Sequence, residues 1–188
     1  MTLGTIRDAM EFGTPRLRID RLLPGDAQAL YAYRGDPVVA RFQGWRPADA
    51  DAALAFIGRQ PGEPSIGWFQ RAIRLREEGA LIGDLGVCLP AEPGESVEFG
   101  ITIAPAHQGK GYAREALQEM FGHGFGQLGW RRVHASVDPR NVACLTLLRA
   151  LGMRQEAHFR ESLWLHGEWV DDAVFAMLAR EWQAAQPL

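Results

Sequence analysis

The residues with the most legible chemistry lie between His107 and Arg114, in the run His-Gln-Gly-Lys-Gly-Tyr-Ala-Arg. The run follows a strand pattern, contains two glycines, and opens the clearest helical pattern of the chain. The first amide N–H groups of a helix have no partner within it, and the helix dipole makes that end positive. Gly109 and Gly111 let an anion approach the backbone with no Cβ in the way, and Lys110 and Arg114 add positive charge at the rim. A phosphate-bearing ligand is therefore expected here. The Walker pattern G-x-x-x-x-G-K-[ST] is absent. The dinucleotide pattern G-x-G-x-x-G is nearly met, and Asp138 could imitate its ribose-binding acid, but Arg114 stands at the third glycine position. The pattern Q-x-x-G-x-A is met in full by Gln108, Gly111 and Ala113.

The elements that must position this loop read as follows. Thr14 to Asp20 alternates polar and apolar residues and ends at Pro24-Gly25, as a strand does. Asp26 sits at the N-cap position of a short helix carrying Leu30, Tyr31 and Tyr33, which Gly35-Asp36-Pro37 stops. A second helix follows Pro47, with Ala53, Leu54, Phe56 and Ile57 as its apolar face. Trp68 to Arg76 and Leu81 to Leu89 flank Glu77-Glu78-Gly79 as an antiparallel hairpin. Ser96 to Ile103 alternates with Phe99, Ile101 and Ile103 on one face and Glu98, Gly100 and Thr102 on the other, until Pro105 ends it. The long helix from Ala113 to Leu128 contains Gly122, Gly124 and Gly126. Each costs about 1 kcal/mol against alanine, so they either allow close packing or loosen the helix. Val133 to Val137 is a strand, Asn141 caps a helix that Gly152 ends, and two strands joined at His166-Gly167 finish the chain. The first dozen residues carry little signal and are expected to fray. The order β-α-α-β-β-β-α-β-α-β-β makes one mixed α+β domain over residues 1–188, with its core at about 14–182. A hairpin-rich sheet ahead of the loop is also unlike the start of a Rossmann unit.

Seven motifs in this order resemble the general-control-related N-acetyltransferase (GNAT) superfamily, and within it the branch with the ribosomal-protein N-terminal acetyltransferases. They are Thr14-Pro15-Arg16-Leu17, Leu81-Ile82-Gly83-Asp84, Glu98-Phe99-Gly100, Gln108 to Ala113, Asp138-Pro139-Arg140-Asn141, Leu151-Gly152-Met153 and Gly167 to Asp172. The resemblance implies a mostly antiparallel sheet of about seven strands with a splayed central pair, and four helices. It implies acetyl-CoA as co-substrate, with Ile101, Thr102 and Ile103 offering backbone groups to the pantetheine arm. The amides of Gln108, Gly109, Lys110, Gly111, Tyr112 and Ala113, with Arg114, would hold the pyrophosphate, and Asn141 would lie beside the pantetheine or acetyl end. The acceptor it implies is a primary amine, a protein N-terminus before a small amine. Another acyl-CoA, or a non-catalytic coenzyme A sensor, are the alternatives.

Amine acetylation needs a neutral amine, stabilisation of the oxyanion and a proton for the departing thiolate. An α-amino group titrates near 7.7–8.0, so positioning and a weak base acting through water suffice. Glu98, on the strand leading to the loop, is the first candidate base, against a solvated strand carboxylate; Glu161 is a second. Asp171 and Asp172 could attract a cationic amine, but read rather as solubility charges of an edge strand. Cys144 stands three residues after Asn141, where related sequences commonly have serine. It could protonate the thiolate or simply pack; a covalent route lacks an evident histidine partner. His107 and His134 read as structural. Trp45, Trp68, Trp164 and Trp169, with Tyr31 and Tyr33, could line an acceptor groove, but most read as core or packing residues.

The 188 residues are 47% hydrophobic and 23% charged, with a net charge of −3. That balance points away from nucleic acid as a partner. No apolar run of membrane-spanning length is present, and Cys88 and Cys144 have no metal-ligand or disulfide pattern, so neither a membrane span nor a metal is expected. A cytoplasmic enzyme with free thiols is the expectation, and a homodimer is compatible with it.

Overall fold

Alternating burial along the strands builds the molecule, whose residues 10–92 and 94–185 are described by the computed structural model. In chain order the elements are β1 (Phe12–Gly13), β2 (Leu17–Asp20), α1 (Ala27–Arg34), α2 (Pro37–Ala40) and α3 (Ala50–Gly58). They continue with β3 (Gly67–Leu75), β4 (Leu81–Leu89), β5 (Val97–Ile103), α4 (Tyr112–Gly126) and β6 (Arg132–Val137). The last are α5 (Val142–Ala150), β7 (Arg154–Leu165), β8 (Glu168–Leu178) and α6 (Ala179–Ala184). The strands form one sheet in the order β1-β2-β3-β4-β5-β6-β8-β7, antiparallel at every step except β5 to β6.

Each face of the sheet buries a separate set of apolar side chains. Phe69, Ile73, Leu85, Val87, Phe99, Val133 and Phe175 pack with Leu117, Met120 and Phe121 of α4 and Leu148 of α5. On the other face Ala72 packs with Leu30 and Tyr33 of α1 and with Ala53 and Ile57 of α3. A buried ion pair fixes α1 to β4. Asp84, fully buried, accepts hydrogen bonds from Tyr33 Oη at 2.8 Å and from Arg34 Nε at 3.1 Å. Removing one partner of such a pair costs about 3–5 kcal/mol because the other charge is left buried.

The sequence reading departs from the structure in several places. Eight strands and six α-helices are present among the described residues, where about seven and four were expected. Met10 and Phe12 are buried and form part of the core, so residues 10–12 do not fray; residues 1–9 lie outside the described residues. Asp36 and Pro37 do not merely stop α1. Asp36 accepts the N–H of Val38 as the N-cap of α2, with proline at the first helical position, where its missing N–H is harmless. Asp26 does not cap α1 with its side chain; its carboxylate takes the Leu23 N–H and the Arg74 guanidinium. The chain does not finish on β8 but turns into α6, whose Trp182 packs edge-on to Phe121 at 5.8 Å. Leu54 of α3 is exposed rather than part of an apolar face.

Candidate active site

β5 and β6 pair only at Val97 with Val133 and Glu98 with His134, although β5 runs on to Ile103 and β6 to Val137. Beyond that pairing each strand keeps its outer neighbour, β4 or β8, and the two inner edges diverge. The result is a V-shaped slot whose apex is the Glu98–His134 pair. Because the strands are parallel, the slot opens toward their C-terminal ends, where ligands bind in open αβ sheets. The N-terminus of α4 follows one wall of the slot and the N-terminus of α5 follows the other.

Hydrogen-bond alternation tells which groups of β5 face the slot. Ala104 N–H donates to Ile82 C=O at 2.8 Å, so by the two-residue repeat Thr102, Gly100 and Glu98 turn their backbone groups to β4. Phe99, Ile101 and Ile103 turn theirs to the slot. Of the three residues expected to serve the pantetheine, Ile101 and Ile103 turn backbone groups to the slot, with the Ile103 C=O already accepting from Gln108, whereas the Thr102 backbone is committed to β4. The Thr102 hydroxyl is buried without a hydrogen-bond partner on the face that carries α1.

The loop is shaped as a cradle. Gly109 and Gly111 have φ of 72° and 81°, a region L side chains rarely adopt, and Gly111 is the N-cap of α4 with no side chain capping it. The leading amides of α4 therefore point at solvent, and Lys110 and Arg114 are in no ion pair among the described residues. Gln108 plays a different part: its side chain donates to Ile103 C=O at 2.8 Å and its N–H to Pro105 C=O at 3.2 Å, which fastens the loop to the end of β5.

A clamp not foreseen from sequence holds the cradle from outside. Glu115 sits in the first turn of α4, where its charge would oppose a bound phosphate. It accepts hydrogen bonds from the Thr14 hydroxyl, from Arg16 N–H at 3.0 Å and from Arg16 Nε at 2.6 Å. Burial raises the Glu115 carboxyl, but these bonds outweigh it and hold it below the ordinary range, as an ion pair. Arg16 also donates to Lys110 C=O at 3.0 Å and lies over the Tyr112 ring at 4.6 Å. The motif Thr14 to Leu17 was the available signal; its partner Glu115, 99 residues beyond Arg16, was not.

The other candidates fall into place around the slot. Asn141 Oδ1 accepts the Cys144 N–H at 3.1 Å and so caps α5. Asp138 is held by Arg140, which binds its carboxylate with Nε and Nη2 and reaches Glu168 at 2.9 Å; it shapes the turn before Asn141. Cys144 is partly buried against the core, and desolvation pushes its thiol up to about 11. Cys88 lies opposite Glu98 on β4, its thiol raised by burial and by the Glu98 charge. Glu161 is on β7, the far edge of the sheet, two strands from the slot. Its N–H donates to Asp171, which also binds His158, while Asp172 accepts from Ser136 on β6 at 2.7 Å. Trp68, Trp164 and Trp169 are more than half exposed and so not core, although Trp164 and Trp169 pack edge to face at 5.3 Å, and Trp45 stacks on Phe56 at 4.1 Å. Among the described residues no group of side chains could hold a metal ion.

Residues 16–154 match the family model of the acetyltransferase (GNAT) domain. The chain belongs to the GNAT acetyltransferase family. The N-acetyltransferase YnaD of Bacillus subtilis is 30% identical over 92% of this chain and 99% of its own. The acetyltransferase (GNAT family) from Bacillus anthracis superimposes with a TM-score of 0.83 at 24% identity, over 92% of this chain and 100% of that one. The Vibrio cholerae spermidine N-acetyltransferase, solved with CoA and spermine, has a TM-score of 0.77 at 20% identity, covering 90% and 99%. This GNAT chain is thus an acetyl-CoA-dependent N-acetyltransferase. No helix among its described residues is long and apolar enough to cross a membrane.

Proposed function

We propose that this enzyme acetylates the N-terminal α-amino group of a protein or peptide by direct transfer in a ternary complex. The pantetheine arm runs along the free edge of β5 at Ile101 and Ile103, and the pyrophosphate rests on the α4 amides between Gly109 and Arg114. The observation that carries this reading is the slot, with a carboxylate at its apex and an uncapped helix N-terminus at its mouth. An α-amine suits this site because it is partly neutral near pH 7, so a half-exposed Glu98 acting through water is base enough. Trp68, exposed and across from Cys88 on the face beside the apex, offers an aromatic surface to a peptide acceptor.

A small polyamine is the second reading. A spermidine N(1)-acetyltransferase of Vibrio cholerae is 33% identical over 40% of this chain. Polyamine nitrogens hold their protons more tightly than an α-amine and ask more of the base. Thiol release from acetyl-CoA, measured with peptides of free and blocked N-terminus and with spermidine, separates the two. Turnover that needs the free N-terminus supports the first reading; turnover on spermidine alone overturns it. Binding of coenzyme A without turnover on any amine would point to a sensor instead.

A further inference from the structure

Glu98 does not stand alone at the apex of the slot. His134 is its direct neighbour across the one parallel pairing among the described residues, with Nε2 at 3.9 Å from Glu98 Oε2. The imidazole is oriented from behind by Ser96, whose Oγ lies 2.8 Å from Nδ1. If Nδ1–H donates to Ser96, the Nε2 lone pair faces Glu98, the arrangement in which a histidine can take a proton. Both side chains are partly exposed, 25% for His134 and 33% for Glu98, so water reaches the gap. Of the titratable groups on this face, Arg132 of β6 is taken by Glu156 of β7 at 2.6 Å, Arg154 of β7 by Glu156 and Glu181, Asp172 of β8 by Ser136 at 2.7 Å and Asp84 of β4 by Tyr33 and Arg34, which leaves Cys88 of β4 opposite Glu98. Glu98 and His134 are left to each other.

Building on the reading of Glu98 as base, we propose that His134 is a positioning residue for the acetyl transfer. It receives through Glu98 the proton shed by the acceptor amine, and Ser96 holds it in register. In the step, an N–H bond of the ammonium breaks, its electron pair stays on nitrogen, and the proton passes through water to the Glu98–His134 pair. The nitrogen lone pair then forms the C–N bond, the C–S bond breaks with its electrons on sulfur, and the amine's second proton ends on the thiolate. His134 returns its own proton to solvent.

The test combines kinetics with proton NMR on the coenzyme A-bound enzyme. His134→Gln should lower kcat about tenfold or more with the KM for acetyl-CoA unchanged, and Ser96→Ala should lower it by a smaller factor. The rise of rate with pH across the histidine range should flatten in His134→Gln. Glu98→Gln combined with His134→Gln should be no slower than Glu98→Gln alone, because a coupled unit is lost once. The ring-proton titration of His134 should move when Glu98 becomes glutamine. A His134→Gln enzyme with wild-type kcat and pH profile, or a His134 titration indifferent to Glu98, overturns the proposal. Wild-type rates in Glu98→Gln would instead overturn the underlying assignment of the base, so the two failures are distinguishable.

Discussion

Cys144 shows how far a single residue can be read from its type. Its position three after Asn141 suggested an acid for the departing thiolate, but that role needs a thiol that gives up its proton readily. Burial does the opposite, pushing it to about 11. Protonation of a coenzyme A thiolate by such a group is uphill, and a covalent acyl-cysteine route would need a thiolate that scarcely forms at neutral pH. Cys144→Ala is therefore expected to keep turnover within a few-fold of wild type, measured by thiol release. It should also change the alkaline limb of stability. A thiol whose folded value lies above its unfolded value near 8.5 contributes fully below that pH and loses its contribution as pH rises to about 11. In that window unfolding free energy should fall less steeply for Cys144→Ala than for wild type, by up to about 1.4 kcal/mol per pH unit. Equal slopes in urea titrations at several pH values would show that the thiol is not buried as described. Asn141 was legible as a cap because its partner lies three residues away. The Arg16–Glu115 clamp was not, because sequence distance hides a contact made only when β2 meets α4.

At the scale of elements, periodicity gave the long pieces and missed the short ones. β3, β4, β5 and α4 have enough turns or alternations to declare themselves, whereas β1 has two residues and α2 four. Their existence depends on tertiary cover and, for α2, on the Asp36-Pro37 start. The three glycines of α4 left two explanations open, and the structure divides them. A Cβ on Gly124 would sit 2.0 Å from the Trp130 ring, so that glycine exists for close packing. Gly122 has open space around its missing side chain. Gly122→Ala is expected to stabilise the protein by about 0.5–1 kcal/mol, whereas Gly124→Ala should destabilise it by about 1–3 kcal/mol, because the indole must shift. Melting temperatures that move in the same direction for both would contradict this division.

For the whole molecule, the order of motifs fixed the family in advance, but the slot itself could not be read from spacing. β5 and β6 part beyond Glu98 and His134, a geometry that only the assembled sheet reveals. Once it is assembled, the strand ends, Gly111 and Asn141 converge on one opening, and Thr102 turns away from it. The account stands or falls on whether coenzyme A rests on the α4 amides. Calorimetric titration of coenzyme A into wild type and into Gly111→Glu tests this most directly. Glutamate at 111 puts a negative charge at the helix N-terminus and a side chain on a backbone with φ of 81°, in a place that is otherwise nearly open. The expected result is a variant that still unfolds cooperatively but binds coenzyme A about a hundredfold or more weakly than wild type. Unchanged affinity in a folded Gly111→Glu would place the cofactor elsewhere.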